Sequence, residues 1–461
     1  MERPPGFFEK HYLLSNALGY YTNLNTTAKY NRYVEKAHLS AALQHMVYEN
    51  PWFCSNYFKV NNTGDVFKDY ILRSVDHINF GVVVEYVKID KFDREILEEI
   101  DKRRVPIGKD NAPLWRLLIL ETDTEQYFTF YACHSLFDGI STLQFHKDLH
   151  KYLDRTESSK FQENLFTNNG QTPVLPAVET SLDLFRPSWS QKCLFTLAVK
   201  HARLYNWLKW VGDGFSAPLE IFQAGPVTEQ VHTKFRIINI PNADVNKLVD
   251  HCRSKSYTLT PYLTAILKRA LQKVVYPHYY TDSSNVVTRI LMAFDGRRYD
   301  HELRSPFKYG LVISGQLLDL FPVGSFNKEV HSIYKSIQSN LKSRLSFKYI
   351  WTANLIDTEE VLRGSISSKL RTTILMTNLG AIKDNPDQNW HITDAWFASN
   401  RTINYHFIMH AVSTSTGGLN IVLGYSPEYD NLETTIEGEK VGVMDAVESE
   451  IESSLLKNIE S

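Results

Sequence analysis

Cysteine is scarce and scattered in this chain. Cys54, Cys133, Cys193 and Cys252 form no C-x-x-C pair and no metal-ligand spacing, which argues against zinc modules, dithiol redox motifs and a disulfide scaffold. A reduced intracellular setting is expected. Charge of one sign is lacking too: 50 Lys and Arg face 52 Asp and Glu, and the most basic short run is Lys102-Arg103-Arg104. No stripe for a nucleic-acid backbone can be drawn, so nucleic acid is set aside as a partner. Apolar runs stop short of the roughly 20 residues a spanning helix needs, and the opening Met1 to Lys10 has no signal-peptide core, so a cytoplasmic location is expected. Sequons at Asn25, Asn61 and Asn400 are then read as coincidental. A G-x-S-x-G elbow is absent, as is a Cys-His nucleophile signature, and neither suggests covalent catalysis.

What is present is length, aromatics and mixed periodicity. At 461 residues the chain exceeds one ordinary core, and two domains of about 200 residues follow. Its 25 Tyr and 25 Phe suit large cores and equally a deep apolar pocket. Val34 to Glu49 has helical spacing and stops before Pro51. Strands are predicted at Val82–Ile89, Trp115–Glu121 and Tyr127–Cys133, the last two joined in a hairpin by Asp123-Thr124-Glu125. Arg155 to Thr180 is polar and reads as a surface crossover. Gln191 to Val211 reads as a helix with interspersed Lys192, Lys200, Arg203 and Lys209 and with Trp207 and Trp210 near its end. Such a helix packs on its own protein or lies on a membrane surface.

The second half restarts with a strand at Thr233–Ile240 and a helix from Ala243 to Arg253. Another helix follows Thr260-Pro261, with Thr260 as its cap. Further strands are predicted at Val286–Phe294, Gly310–Gly315, Thr372–Thr377, Thr402–Val412 and Leu419–Leu423. The fold class is α+β, or mixed α/β, in two related layers. The boundaries drawn are 1–180, a connecting helical region 181–230, and 231–461.

The chemistry concentrates at Phe128-Thr-Phe-Tyr-Ala-Cys-His134-Ser-Leu-Phe-Asp138-Gly139. A strand ending in a turn would project His134 into a cleft, where neutral imidazole serves as a general base. Asp138, four residues on, invites a triad-like reading, and Gly139 permits close backbone approach or a sharp turn into the next helix. Cys133 falls on the opposite strand face from His134 and is read as structural, as is Ser135. His406 and His410 share a strand face but are too far apart for one ion, so no metal is expected.

Together with Trp115-Arg116-Leu117-Leu118-Ile119-Leu120 and the aromatic opening Phe8-Glu-Lys-His-Tyr12 and Gly19-Tyr20-Tyr21, the His134–Gly139 segment resembles the fungal alcohol O-acetyltransferase family of the His-x-x-x-Asp-Gly acyltransferase superfamily. Phe294-Asp295-Gly296-Arg297-Arg298 is similar to that superfamily's D-x-R strand, and Thr377-Asn378-Leu379-Gly380 to its S-N-L-G turn. The resemblance implies a pseudo-dimer of two chloramphenicol-acetyltransferase-like halves with a central tunnel, sufficient as a monomer. It implies acetyl-CoA as co-substrate with no permanent cofactor, and His134 as base toward the hydroxyl or amine of a small or lipophilic acceptor. It also implies that Asp138 pairs with Arg297, with Arg298 as the alternative partner. Asn378 is an oxyanion candidate or simply a turn former, and the helix start at Thr260 is the candidate for CoA phosphate binding. Some relatives use amphipathic termini at lipid droplets or endoplasmic reticulum. Here the acidic Met444–Ile459 opposes that, leaving at most peripheral membrane contact. Alcohol and amine acetylation stay open, the latter as detoxification of an amine-bearing inhibitor. So do a thioesterase or esterase and an inactive binding member of the fold.

Overall fold

The computed structural model describes residues 2–156, 160–204, 207–208, 219–225, 229, 231–299, 307–322, 324–367, 371–383 and 388–460. Two principal sheets organise them. In chain order their strands are β1 Leu24–Tyr30, β2 Val84–Lys88, β3 Trp115–Glu121, β4 Gln126–Ala132, β5 Lys234–Ile240, β6 Thr288–Asp295, β7 Ile313–Leu320, β8 Thr372–Ile382, β9 Ile392–Ser399, β10 Tyr405–Thr414 and β11 Gly418–Tyr425. The first sheet runs β9-β1-β4-β3-β2 and the second β5-β11-β10-β8-β6-β7. Every residue of β4 and of β11 is buried, as befits strands covered on both faces.

The predicted β3–β4 hairpin is present, with Trp115 opposite Ala132 and Glu121 opposite Gln126. The expected strand over 82–89 starts two residues later, because Phe80–Val83 forms a helical turn. Within these two sheets the sequence reading has no strand at β1 or β9, and they pair with each other antiparallel. β9 thereby carries a segment of the second half into the first sheet, while Asn420 on β11 donates to Asp394 Oδ1 at 2.6 Å and to the Ala395 carbonyl at 2.8 Å. Side-chain hydrogen bonds thus tie the edge strand of the first sheet to the second.

Helices α1 Glu9–Ala17, α2 Lys36–Glu49, α3 Gly139–Arg155, α4 Trp189–Lys200, α5 Leu259–Val274, α6 Phe326–Ser343 and α7 Val443–Glu460 pack around the sheets. α2 and α3 touch each other beside the first sheet, and α5 packs on α6 and α7. One core gathers around Phe53, Trp115, Phe130 and Phe145, and a second around Tyr262, Leu267, Phe407 and Leu423. The predicted 191–211 helix is interrupted: α4 ends at Lys200 and helical residues resume at 202–204 and 207–208, and its start lies earlier, where Ser188 and Gln191 form a capping box. Phe195 is its one buried side chain and Leu194 is exposed. The expectations for Tyr205, Lys209, Trp210 and Val211 lie outside the described residues. Asn25 and Asn400 of the sequons are buried.

Candidate active site

β4 delivers the central loop. The Cys133 N–H donates to the Leu114 carbonyl at 3.0 Å and that of Leu136 to Cys133 O at 3.3 Å, closing a tight turn that ends where Asp138 caps α3. Asp138 Oδ1 accepts from the Ser141 N–H and hydroxyl, both at 2.8 Å. That satisfies one of the free N–H groups of the helix start.

The other oxygen faces the second half. Asp138 Oδ2 accepts from Arg297 Nη1 at 2.9 Å and from the Val312 N–H at 3.0 Å. Arg297 has all its nitrogens engaged: Nε donates to Phe307 O at 3.0 Å, Nη1 also to Asp295 Oδ1 at 3.1 Å, and Nη2 to Ser141 Oγ at 3.2 Å and Gly310 O at 3.1 Å. Burial pulls this guanidinium down, but the Asp138 and Asp295 charges hold it above its ordinary value. Asp138 is 0% exposed, so this is a buried ion pair with every acceptor used, and neither of its oxygens bonds to His134. Arg298 is exposed. Gly310, at φ +114°, takes a conformation that L side chains rarely adopt, and thereby brings its carbonyl to Arg297.

His134 sits in the turn, partly exposed, under an aromatic roof. The Tyr12 ring of α1 stacks on it with centroids 3.9 Å apart and planes 21° apart, and Tyr21 leans on it at 5.7 Å and 48°. Nδ1 is fully buried without a hydrogen-bond partner. Burial, opposed by the Asp138 charge and nearby backbone groups, pushes the imidazole down to about 4. It is neutral at pH 7, the form a general base requires.

Gly139 is packed more tightly than a turn demands. A Cβ there would lie 2.7 Å from Phe397 Cζ and 3.1 Å from Leu379 Cδ2, so the absent side chain lets α3 approach β9 and β8. Asn378, next to Leu379, donates to Thr260 Oγ1 at 3.1 Å and accepts from the Gly380 N–H at 2.8 Å. The oxyanion candidate and the CoA candidate thus bond to each other. Thr260 is not the helix cap, since Thr258 holds that position. His406 bonds to the Tyr429 hydroxyl at 3.0 Å and His410 to Ser399 Oγ at 2.9 Å. Among the described residues no group of three His, Cys, Asp or Glu is placed to hold a metal ion. Cys133 Sγ lies 3.1 Å from Ser135 Oγ, both are buried, and burial pushes the thiol up. Tyr12 and Tyr21 were not assigned to the site from sequence. Their place over His134 depends on the path of α1, which has almost no amphipathic signal.

The fold has known counterparts. In overall structure the chain is similar to the trichothecene 15-O-acetyltransferase of Fusarium sporotrichioides, at 14% identity, TM-score 0.68, and coverage of 98% of this chain and 95% of that one. It is also similar to the condensation domain of the monacolin K polyketide synthase, at 12% identity, TM-score 0.62, and 100% and 98% coverage. A third likeness is to an epimerization domain of tyrocidine synthetase B, at 14% identity, TM-score 0.60, and 100% and 96% coverage. At such identities these show the fold. A search of curated proteins returned no match. The family model described as alcohol acetyltransferase matches residues 5–444, nearly the full length. The chain belongs to the alcohol acetyltransferase family, and it is an acyltransferase whose co-substrate is an acyl-CoA.

Proposed function

We propose that this protein transfers the acetyl group of acetyl-CoA to the hydroxyl or amine of a small or lipophilic acceptor, with His134 as general base. The observation that carries this reading is the state of His134: a neutral ring with Nδ1 sealed, at the end of a strand, in a turn braced by a fully bonded carboxylate. Nε2 takes the acceptor proton as the acceptor oxygen or nitrogen attacks the thioester carbonyl carbon. The tetrahedral intermediate collapses, the C–S bond breaks, and the CoA thiolate leaves and recovers the proton from the imidazolium. Asp138 and Arg297 brace the loop and take no proton.

The two substrates approach His134 from opposite mouths of a tunnel between the halves, in a chain that works as a monomer. Purified protein incubated with acetyl-CoA and a panel of alcohols and long-chain amines, read by mass for acetylated product and free CoA, tests the reading. Equal amounts of both, lost in His134→Ala, support it, and the panel decides between alcohol and amine. Free CoA without acetylated product assigns the chain to thioester hydrolysis instead. Neither product, with acetyl-CoA still bound, assigns it to binding.

A further inference from the structure

We infer that Tyr12 is a positioning residue for the base, its ring holding the His134 imidazole in the plane that presents Nε2 to the acceptor. This rests on the reading of His134 as the base. Two flat rings 3.9 Å apart at 21° leave the imidazole little freedom to rotate about its χ2 bond, a torsion that is otherwise broad for histidine. As the imidazole gains its proton in the transition state, the same π face lies against a developing cation.

The helix carrying Tyr12 is anchored as a rigid mount requires. Glu9, 2% exposed, accepts from Arg3 Nη1 and Nη2 at 2.7 Å each, from the Gly6 N–H at 2.7 Å and from the Tyr57 hydroxyl at 2.8 Å. Glu179, also 2% exposed, accepts from the Phe8 N–H at 3.0 Å. A Cβ on Gly6 would lie 2.1 Å from Glu179 Oε1, so glycine is required for this seat. A helix start with two buried carboxylates is costly to build, and packing alone would be met more simply by apolar residues. What it achieves is a fixed first turn, three residues before Tyr12.

The titratable groups around the imidazole are few. Tyr12 and His11 come from α1, Tyr21 from the segment that follows it, and Asp138 from the loop itself. Tyr405 of β10 acts on Tyr12 and Tyr21, and Cys133 and Asp101 act on Tyr21. Removing the Tyr12 ring therefore exchanges an aromatic roof for water and leaves the charged neighbours in place.

The test compares Tyr12→Phe, Tyr12→Leu and Tyr12→Met with wild type and His134→Ala, as full kcat/KM profiles against pH. Phe should retain most of the activity and the wild-type ascending limb. Leu and Met should lower kcat by about 10- to 100-fold with KM for acetyl-CoA nearly unchanged, and should move the limb upward by about one pH unit or more as the imidazole regains water. Met, close in volume and flexible, reports if Leu fails to fold. Leu or Met variants with wild-type kcat and limb would overturn the inference, as would a Phe variant as impaired as they are. If His134→Ala keeps wild-type turnover, the base assignment itself fails. If it is dead while the Leu variant is normal, only the role of Tyr12 falls.

Discussion

Asp138 accepts four hydrogen bonds, two on each oxygen, from Ser141, Arg297 and Val312, so it has no acceptor left with which to steer the imidazole. Removing either member of the Asp138–Arg297 pair strands a buried charge, at about 3–5 kcal/mol. Asp138→Asn and Arg297→Ala should each lower stability and activity together. In the double mutant the losses should fall short of the sum by about 0.5–3 kcal/mol, read from denaturant midpoints. Additive losses would mean that the contact does not couple, and an Asp138→Asn variant with wild-type stability and heavily reduced turnover would restore the triad reading. At His134, replacement by Ala should cost about 10²–10⁴ in turnover. Because burial holds the ring near 4, activity should rise through pH about 4 and stay level to neutrality. A limb centred near 6.5 would show a solvated ring. His134, Asp138 and Gly139 were legible in the sequence because a motif places them within six positions. Tyr12 was not, since stacking across 122 residues leaves no local trace.

At the scale of elements, the strands the sequence disclosed are those with apolar or alternating β-formers, such as β3, β4 and β11. β1 escaped because Asn25, Thr26, Thr27 and Lys29 give it no apolar pattern, yet the first three are buried. Their polarity is met from far away: Thr26 Oγ1 lies 2.6 Å from Thr142 Oγ1 and Thr27 Oγ1 lies 2.8 Å from Thr129 Oγ1. β9 escaped because its apolar residues do not alternate and its partner lies at the other end of the chain. That strand also explains Gly139. Phe397 on β9 occupies the space a Cβ would need, so Gly139→Ala should destabilise by about 1–3 kcal/mol and lower activity by displacing the loop. Leucine has no atoms matching Phe397 Cζ and Cε1, the nearest to that Cβ together with Leu379 Cδ2. Adding Phe397→Leu should therefore recover part of the lost melting temperature. If the second change only deepens the loss, the close approach is not what requires glycine.

For the whole molecule, the buried titratable groups set how stability depends on pH. His11, His134 and His146 are pushed to about 4, His150 and His410 to about 3, and His406 well below its ordinary value, all chiefly by burial. Their folded pKa lies below the unfolded 6.5, so between pH 4 and 6.5 the unfolded chain binds more protons and stability rises with pH. Asp101 and Glu179 at about 7 and Asp394 at about 6, raised by burial, act oppositely, since each holds a proton in the fold that it loses on unfolding. His251 is lowered as well, and Asp295 and Glu448 are raised, again chiefly by burial, so the lowered histidines outnumber the raised carboxyls, unfolding near pH 5 takes up protons on balance, and stability rises toward neutrality. Urea midpoints should therefore be clearly higher at pH 6.5 than at pH 5, and equal or inverted midpoints would refute this balance. His146 gives the same claim a single-site check. Its Nε2 faces the Thr26 carbonyl at 2.9 Å, which fixes the proton there, and Nδ1 accepts from the Tyr30 hydroxyl at 2.7 Å. A second proton would displace that hydroxyl and place a charge where nothing is exposed. His146→Gln removes one titrating group, so it should lower the slope by roughly one proton, whatever it does to stability at neutral pH.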